Sequence, residues 1–68
     1  MASIGQQIKE RRKSLKVTQR QLADLSGVGI NTLTKIEREE ANPSLRILER
    51  ILDTLGLELT LKIKDIEY

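Results

Sequence analysis

TQRQLADLSGVGINTLTKIE, residues 18–37, holds two short helices and the turn between them. Thr18 and Gln21 stand at capping-box spacing: the hydroxyl accepts a backbone N–H three residues on, and the amide reaches back to the cap. Leu22 and Ala23 then point inward, with Leu25 as a further candidate, and Gly27 supplies the left-handed residue that ends the helix. Val28 and Gly29 alone separate that stop from Ile30–Glu37, where Leu33 and Ile36 form a helical apolar stripe with Val28.

Upstream, Ile4, Ile8 and Leu15 with polar residues between them predict a helix with a narrow apolar stripe, and Ser3 and Gln6 repeat the capping-box spacing. Downstream, Asn42-Pro43-Ser44 is a turn and helix start. Leu45, Leu48, Ile51, Leu52 and Leu55 then mark a fourth helix, closed by Gly56. There the period changes to two: Leu57, Leu59, Leu61 and Ile63 alternate with Glu58, Thr60, Lys62 and Lys64, the pattern of a half-buried strand. A lone strand leaves a row of backbone donors and acceptors unpaired. The expectation is therefore a homodimer in which this strand pairs antiparallel across a two-fold axis, with Leu57, Leu59, Leu61 and Ile63 as the interface. The alternative is an unpaired extended tail. Ile66 is out of phase with this face, so the strand is expected to end near Lys64. The chain divides accordingly into a helical domain, residues 1–56, and a dimerisation strand with a short tail, residues 57–68.

Two short helices meeting across a tight glycine-containing turn are the layout of a helix-turn-helix, whose second helix can enter a major groove. Asn31, Thr32, Thr34 and Lys35 on its exposed face are short or donor-rich, suited to base edges and phosphates, although ordinary surface helices carry such residues too. Charge is graded along the chain. Residues 1–20 hold six basic residues against Glu10 alone, residues 21–38 balance, and residues 39–68 hold seven acids against four bases, giving +2 in all. A basic end suits a polyanion, and is equally the solvated face of a helix.

Composition narrows the function further. With no cysteine and no histidine among 68 residues, zinc, haem and thiol chemistry are excluded, and the scattered Ser, Asp and Glu form no catalytic constellation. We expect no enzyme, no cofactor and no metal. A core of Leu, Ile and Val in so short a chain, without disulfides or metal, calls for oligomerisation. No apolar run has transmembrane length, Met1 to Gly5 starts no signal-peptide pattern, and Ile4, Ile8 and Leu15 give too small a face for membrane insertion; a cytoplasmic location, on the nucleoid when bound to DNA, is the expectation.

Residues 18–37 resemble the Cro and phage-repressor (Xre) helix-turn-helix family: the Thr-Gln opening, the Leu-Ala pair, the central Gly-Val and the closing Ile-Glu fall in family spacing. IKERRKSLKV (8–17) and NPSLRILERILDTLG (42–56) extend the resemblance over roughly residues 4–56. It implies an all-α, lambda-repressor-like four-helix domain acting as a homodimeric repressor on an inverted-repeat operator in double-stranded DNA. Carried over position by position, it places base contacts on Ile30, Asn31, Thr34 and Lys35, with phosphate contacts on Gln19, Arg20, Gly29, Thr32 and Arg38. Asn31 has the amide for adenine, Lys35 suits guanine or phosphate, and Ile30 a thymine methyl; a partly core Ile30 and a merely solvated Lys35 are the competing assignments. The resemblance also pairs Arg12 with Glu37, against a simple phosphate contact for Arg12.

The chain departs from the family twice. Glu39 stands where relatives place a glycine that turns the chain out of the recognition helix, and Gly29 replaces a small hydroxyl residue at that helix's start. The segment LGLELTLKIK (55–64) is similar to the C-terminal strand of HipB-type antitoxins. That likeness implies a toxin-antitoxin role with a HipA-like kinase toxin as partner. The acidic balance of residues 39–68, including Glu39, Glu40, Glu49 and Asp53, offers such a partner a surface, and is equally a solubilising one. A stand-alone phage or mobile-element repressor is the alternative, and a protein-interaction adaptor without DNA a more distant one.

Overall fold

A computed structural model of the chain describes residues 2–65. Four helices follow in order: α1 (Ile4–Ser14), α2 (Gln19–Ser26), α3 (Ile30–Glu37) and α4 (Leu45–Thr54). The all-α, four-helix expectation for this part of the chain is met. The capping box of α2 is complete: Gln21 donates its backbone N–H to the Thr18 hydroxyl at 3.0 Å, and Thr18 donates its own to the Gln21 side chain at 2.9 Å. At α1 only half of the predicted box forms. The Gln6 backbone N–H reaches Ser3 at 3.1 Å, but the Gln6 side chain lies along its own helix toward Glu10.

Helix α2 packs on both α3 and α4, and α1 packs on α3. Ile8, Leu22, Leu33, Ile51 and Leu55 are fully buried at the centre, each stabilising the fold by about 1.5–3 kcal/mol relative to an exposed side chain. Leu25 is a correction, at 71% exposed. In a helix of about 3.6 residues per turn, Leu22, Ala23 and Ser26 share one inward arc with Gln19, and Leu25 falls outside it. Leu45, at the first position of α4, is likewise exposed, on the edge of the arc that Leu48, Ile51, Leu52 and Leu55 share.

Helix α1 differs most from its expected stripe. Ile4 and Leu15 are exposed, and the buried residues are Gly5, Ile8 and Arg12. A residue without a side chain and a charged one thus flank the single apolar anchor. Gly5 marks a close approach, since a Cβ built there would lie 2.2 Å from the Ile36 carbonyl oxygen at the end of α3.

Three helices end in the same doubly bonded turn. Val17 and Lys16 donate to the Arg12 and Lys13 carbonyls, Glu40 and Glu39 to those of Lys35 and Ile36, and Leu57 and Gly56 to those of Leu52 and Asp53, the Schellman arrangement. The residue at its bend takes a left-handed φ: +71° at Gly56, but also +58° at Lys16 and +63° at Glu39. Glu39 therefore makes, with φ +63°, the turn for which the family resemblance implies glycine, at a cost on the order of 1 kcal/mol for its Cβ. The Ser3 hydroxyl, which caps α1, also donates to the Glu39 carboxylate and ties this turn to the start of the chain.

Beyond Gly56 the described residues form no strand; 57–65 have no regular secondary structure and no ladder partners. Leu57 packs on the core, whereas Leu61 and Ile63 are 104% and 93% exposed. The radius of gyration, 13.0 Å, exceeds the about 11 Å of a compact chain of this length, as expected for a segment leaving the helical body. A strand is defined by bonds to a neighbour, which a single copy lacks. The expected phase break at Ile66 lies outside the described residues.

Gly5→Ala is expected to lower stability by about 1–3 kcal/mol, because the added methyl meets backbone rather than a movable side chain. A melting temperature equal to wild type would show that α1 can shift away from α3 without cost.

Candidate nucleic-acid interface

The side of α3 turned away from Leu33 and Ile36 carries Asn31, Thr34 and Lys35, with Ile30 beside them. Asn31 and Lys35 are exposed and Thr34 is half-buried. Ile30 is half-buried and packs against the core, so one part of its side chain is structural and the rest faces outward with Asn31. Thr32 lies exposed at the margin of this face. Gly29 precedes the helix with φ −60° and makes no side-chain cap. A side chain there would meet nothing nearer than the Thr32 hydroxyl at 3.9 Å, so glycine is not imposed by conformation or space. Arg38 is exposed where α3 ends, and Arg20 is exposed on α2, 3.9 Å from Asp24 in a solvated pair that contributes little.

Behind this face lies a continuous polar chain. Arg12 Nε donates to Glu37 Oε2 at 2.8 Å and Nη2 donates to Oε1 at 2.9 Å, a two-bonded fork, while Nη1 donates to the Val17 carbonyl at 2.9 Å. The side chains of Arg12 and Glu37 are only 9% and 2% exposed. This geometry leaves Arg12 unavailable to a phosphate. Gln19 Nε2 adds a bond to Glu37 Oε1 at 3.2 Å, and the Thr34 hydroxyl donates to Gln19 Oε1 at 3.3 Å. Every buried side-chain polar atom among the described residues is hydrogen-bonded.

Gln19 is thus drawn toward α3 rather than left free at the start of α2. Arg11 is a second residue with a role that its position in a basic run did not reveal. Its Nε donates to the Leu55 carbonyl at 3.0 Å and caps the end of α4. The signal for Gly5 was a glycine inside a helix, which generally marks a close approach. Nothing local signalled Arg11. Lys9, Lys13 and Lys16 remain exposed on the basic end. Among the described residues no cluster of acidic side chains could hold a metal ion, and no helix is long and apolar enough to cross a membrane.

Two helices joined by a tight turn, the second presenting a polar face and braced from behind, define a helix-turn-helix domain. The family model described as Helix-turn-helix matches residues 8–62. The chain belongs to this family, in its Cro/C1-type branch. It is 41% identical over 58 residues to the immunity repressor protein of Bacillus phage phi105, covering 85% of this chain and 40% of that protein. It is also 41% identical over 51 residues to an HTH-type transcriptional regulator of Methanothermobacter thermautotrophicus, covering 75% and 74%. The biofilm regulator SinR, in a crystal structure with DNA, superposes with a TM-score of 0.76 at 37% identity, covering 82% of this chain and 90% of that one. Some curated relatives are much longer: the chain spans 40% of the phage repressor and 20% of regulators from Methanococcus maripaludis.

Glu37→Ala and Arg12→Ala should each lower stability by about 3–5 kcal/mol, since either change leaves the other charge buried without its partner. Arg12→Lys should recover only part of the loss, because an ammonium cannot form the fork. Thermal melts decide the matter: wild-type melting in both alanine variants would mean that water replaces the missing partner.

Proposed function

We propose that the chain is a sequence-specific DNA-binding transcriptional repressor that inserts α3 into the major groove and acts by occupying its operator. The observation that carries this reading is the outward face of Asn31, Thr34 and Lys35, held on a short helix that a buried ion pair fixes from behind. Likeness to a regulator solved with DNA and to a phage immunity repressor supports it. In this reading Ile30, Asn31, Thr34 and Lys35 meet base edges, and Arg20, Gly29, Thr32 and Arg38 lie toward phosphates. Gln19 keeps one amide N–H for a phosphate oxygen, its other contacts being made within the protein.

The repressor acts as a homodimer. Leu61 and Ile63 lie uncovered and Leu59 partly so, on a segment whose backbone is unpaired, and a second copy supplies both the ladder and the apolar cover. Two α3 helices would then read an inverted repeat with half-sites about 34 Å apart. The antitoxin role with a HipA-like kinase has the alternating segment as its only support, whereas the relatives named above favour a stand-alone repressor. Coexpression with the adjacent gene product and mutual pull-down separates these two roles.

Asn31→Ala is expected to weaken operator binding by about 1–3 kcal/mol and to relax preference at one base pair per half-site. The mapping is wrong if the ratio of operator to random-duplex affinity stays unchanged in a gel shift.

Deleting residues 57–68 should give a monomer or an unfolded chain in sedimentation. A truncated protein that sediments as a stable dimer places the interface elsewhere.

A further inference from the structure

We infer that Thr34 reads DNA as a hydrogen-bond acceptor only, selecting a base that presents an amino group, and that Gln19 is the positioning residue that imposes this polarity. The inference rests on the DNA-binding reading above and follows from counting donors along the polar chain behind α3.

Glu37 is held by two N–H bonds from Arg12, and both of its carboxylate oxygens accept. A group beside it must therefore donate. Gln19 lies 3.2 Å from Glu37 Oε1, so its amide can face that oxygen only with Nε2, which leaves its carbonyl oxygen toward α3. That oxygen accepts, and the Thr34 hydroxyl 3.3 Å away must supply the proton. One assignment fixes the next, so the direction of the last bond is set by the ion pair at the first. A hydroxyl has one hydrogen and two lone pairs. With its hydrogen committed to Gln19, Thr34 presents lone pairs to anything that approaches α3.

A hydroxyl inside a helix commonly bonds back to the carbonyl four residues earlier. Ser26 does so to Leu22 at 2.7 Å, and Thr54 to Arg50 at 2.9 Å. Thr34 instead turns across to α2, and the contact joins the two helices of the motif. In the major groove, adenine N6 and cytosine N4 donate, whereas guanine O6 and N7 and thymine O4 accept. An acceptor-only Thr34 fits the first pair. Losing the Gln19 carbonyl releases the hydroxyl hydrogen to exchange between the Ile30 carbonyl and an acceptor in the groove, and the discrimination is relaxed while the residue itself is unchanged.

The test selects binding sites from a randomised duplex pool with the full chain, as wild type, Thr34→Val and Gln19→Met. Wild type should favour adenine or cytosine at the base whose preference Thr34→Val abolishes. Replacing that base with its analogue lacking the amino group, purine for adenine or pyrimidin-2-one for cytosine, should weaken wild-type binding about three- to tenfold and leave Thr34→Val unaffected. Gln19→Met, which also loses an amide N–H toward phosphate, should bind every duplex more weakly but accept guanine or thymine at that base, a selective change that neither loss of stability nor loss of a phosphate contact produces. The inference is overturned if Thr34→Val leaves every preference intact, if the favoured base offers only acceptors, or if amino deletion affects wild type and Thr34→Val equally. Unchanged selectivity in folded Gln19→Met overturns the role of Gln19, and the Thr34→Val and amino-deletion arms decide the polarity of Thr34 whether or not Gln19→Met folds. A wild-type chain that selects no sequence at all sinks the DNA-binding reading itself, which is a separate result from selection that ignores Thr34.

Discussion

Helix α3 has eight residues, too few to persist alone in water, so its orientation has to come from its neighbours. The Arg12–Glu37 fork is the contact that supplies it. As a contribution to stability a buried ion pair is ambiguous, because removing two charges from water offsets much of their attraction. Its geometric effect is clearer. The planar guanidinium holds the last residue of α3 through two bonds and the approach to α2 through the Val17 carbonyl. One side chain of α1 thus fixes both helices of the motif, and Gln19 and Thr34 continue the same chain of bonds between them.

Close packing depends on that constraint and in turn makes it possible. Gly5 lets α1 approach the Ile36 carbonyl within a distance that no other side chain permits, which brings Arg12, two turns further on, against Glu37. The three Schellman turns then stop α1, α3 and α4 sharply and redirect the chain at each end. Two of them bend at Lys16 and Glu39 rather than at glycine. The backbone cost there is offset by two orphan carbonyls satisfied at each helix end, and at Glu39 also by the bond from Ser3.

What the sequence disclosed and what it hid divide along the same line. The α2–turn–α3 unit was readable because its signals are local: a capping box at Thr18 and Gln21, a left-handed Gly27, and apolar spacing at Leu22, Leu33 and Ile36. Helix α1 is legible as a helix, but Ile4 and Leu15 are not on its packing face, since periodicity counts apolar residues and that face is Gly5, Ile8 and Arg12. Leu25 was a candidate for the core because it is a leucine, and its angle on the helix excludes it. The part played by Gln19 depends on Glu37 and Thr34, which stand eighteen and fifteen residues away, and no local pattern encodes such a meeting. The alternation of 57–63 was plain in the sequence, but alternation identifies a face without identifying what covers it.

The chemistry of the outward face bears on why a second copy matters. Asn31 is the one side chain on it able to make a two-bonded contact with a base, and Lys35 acts as a point charge. Thr34 offers an oxygen and Ile30 part of an apolar surface. Gly29 contributes no side chain to the proposed phosphate contacts, and Arg12, the one buried basic residue of α1, is used internally. One such face supplies little discrimination and little charge neutralisation, both of which grow with the number of contacts. Joining two faces rigidly makes the second binding event intramolecular, so that affinity rises without any new type of contact. In a chain whose α1 spends its arginines on the fold, Arg12 on Glu37 and Arg11 on the end of α4, the proposed dimer would make the leucines after Gly56 as much a part of DNA reading as the side chains of α3.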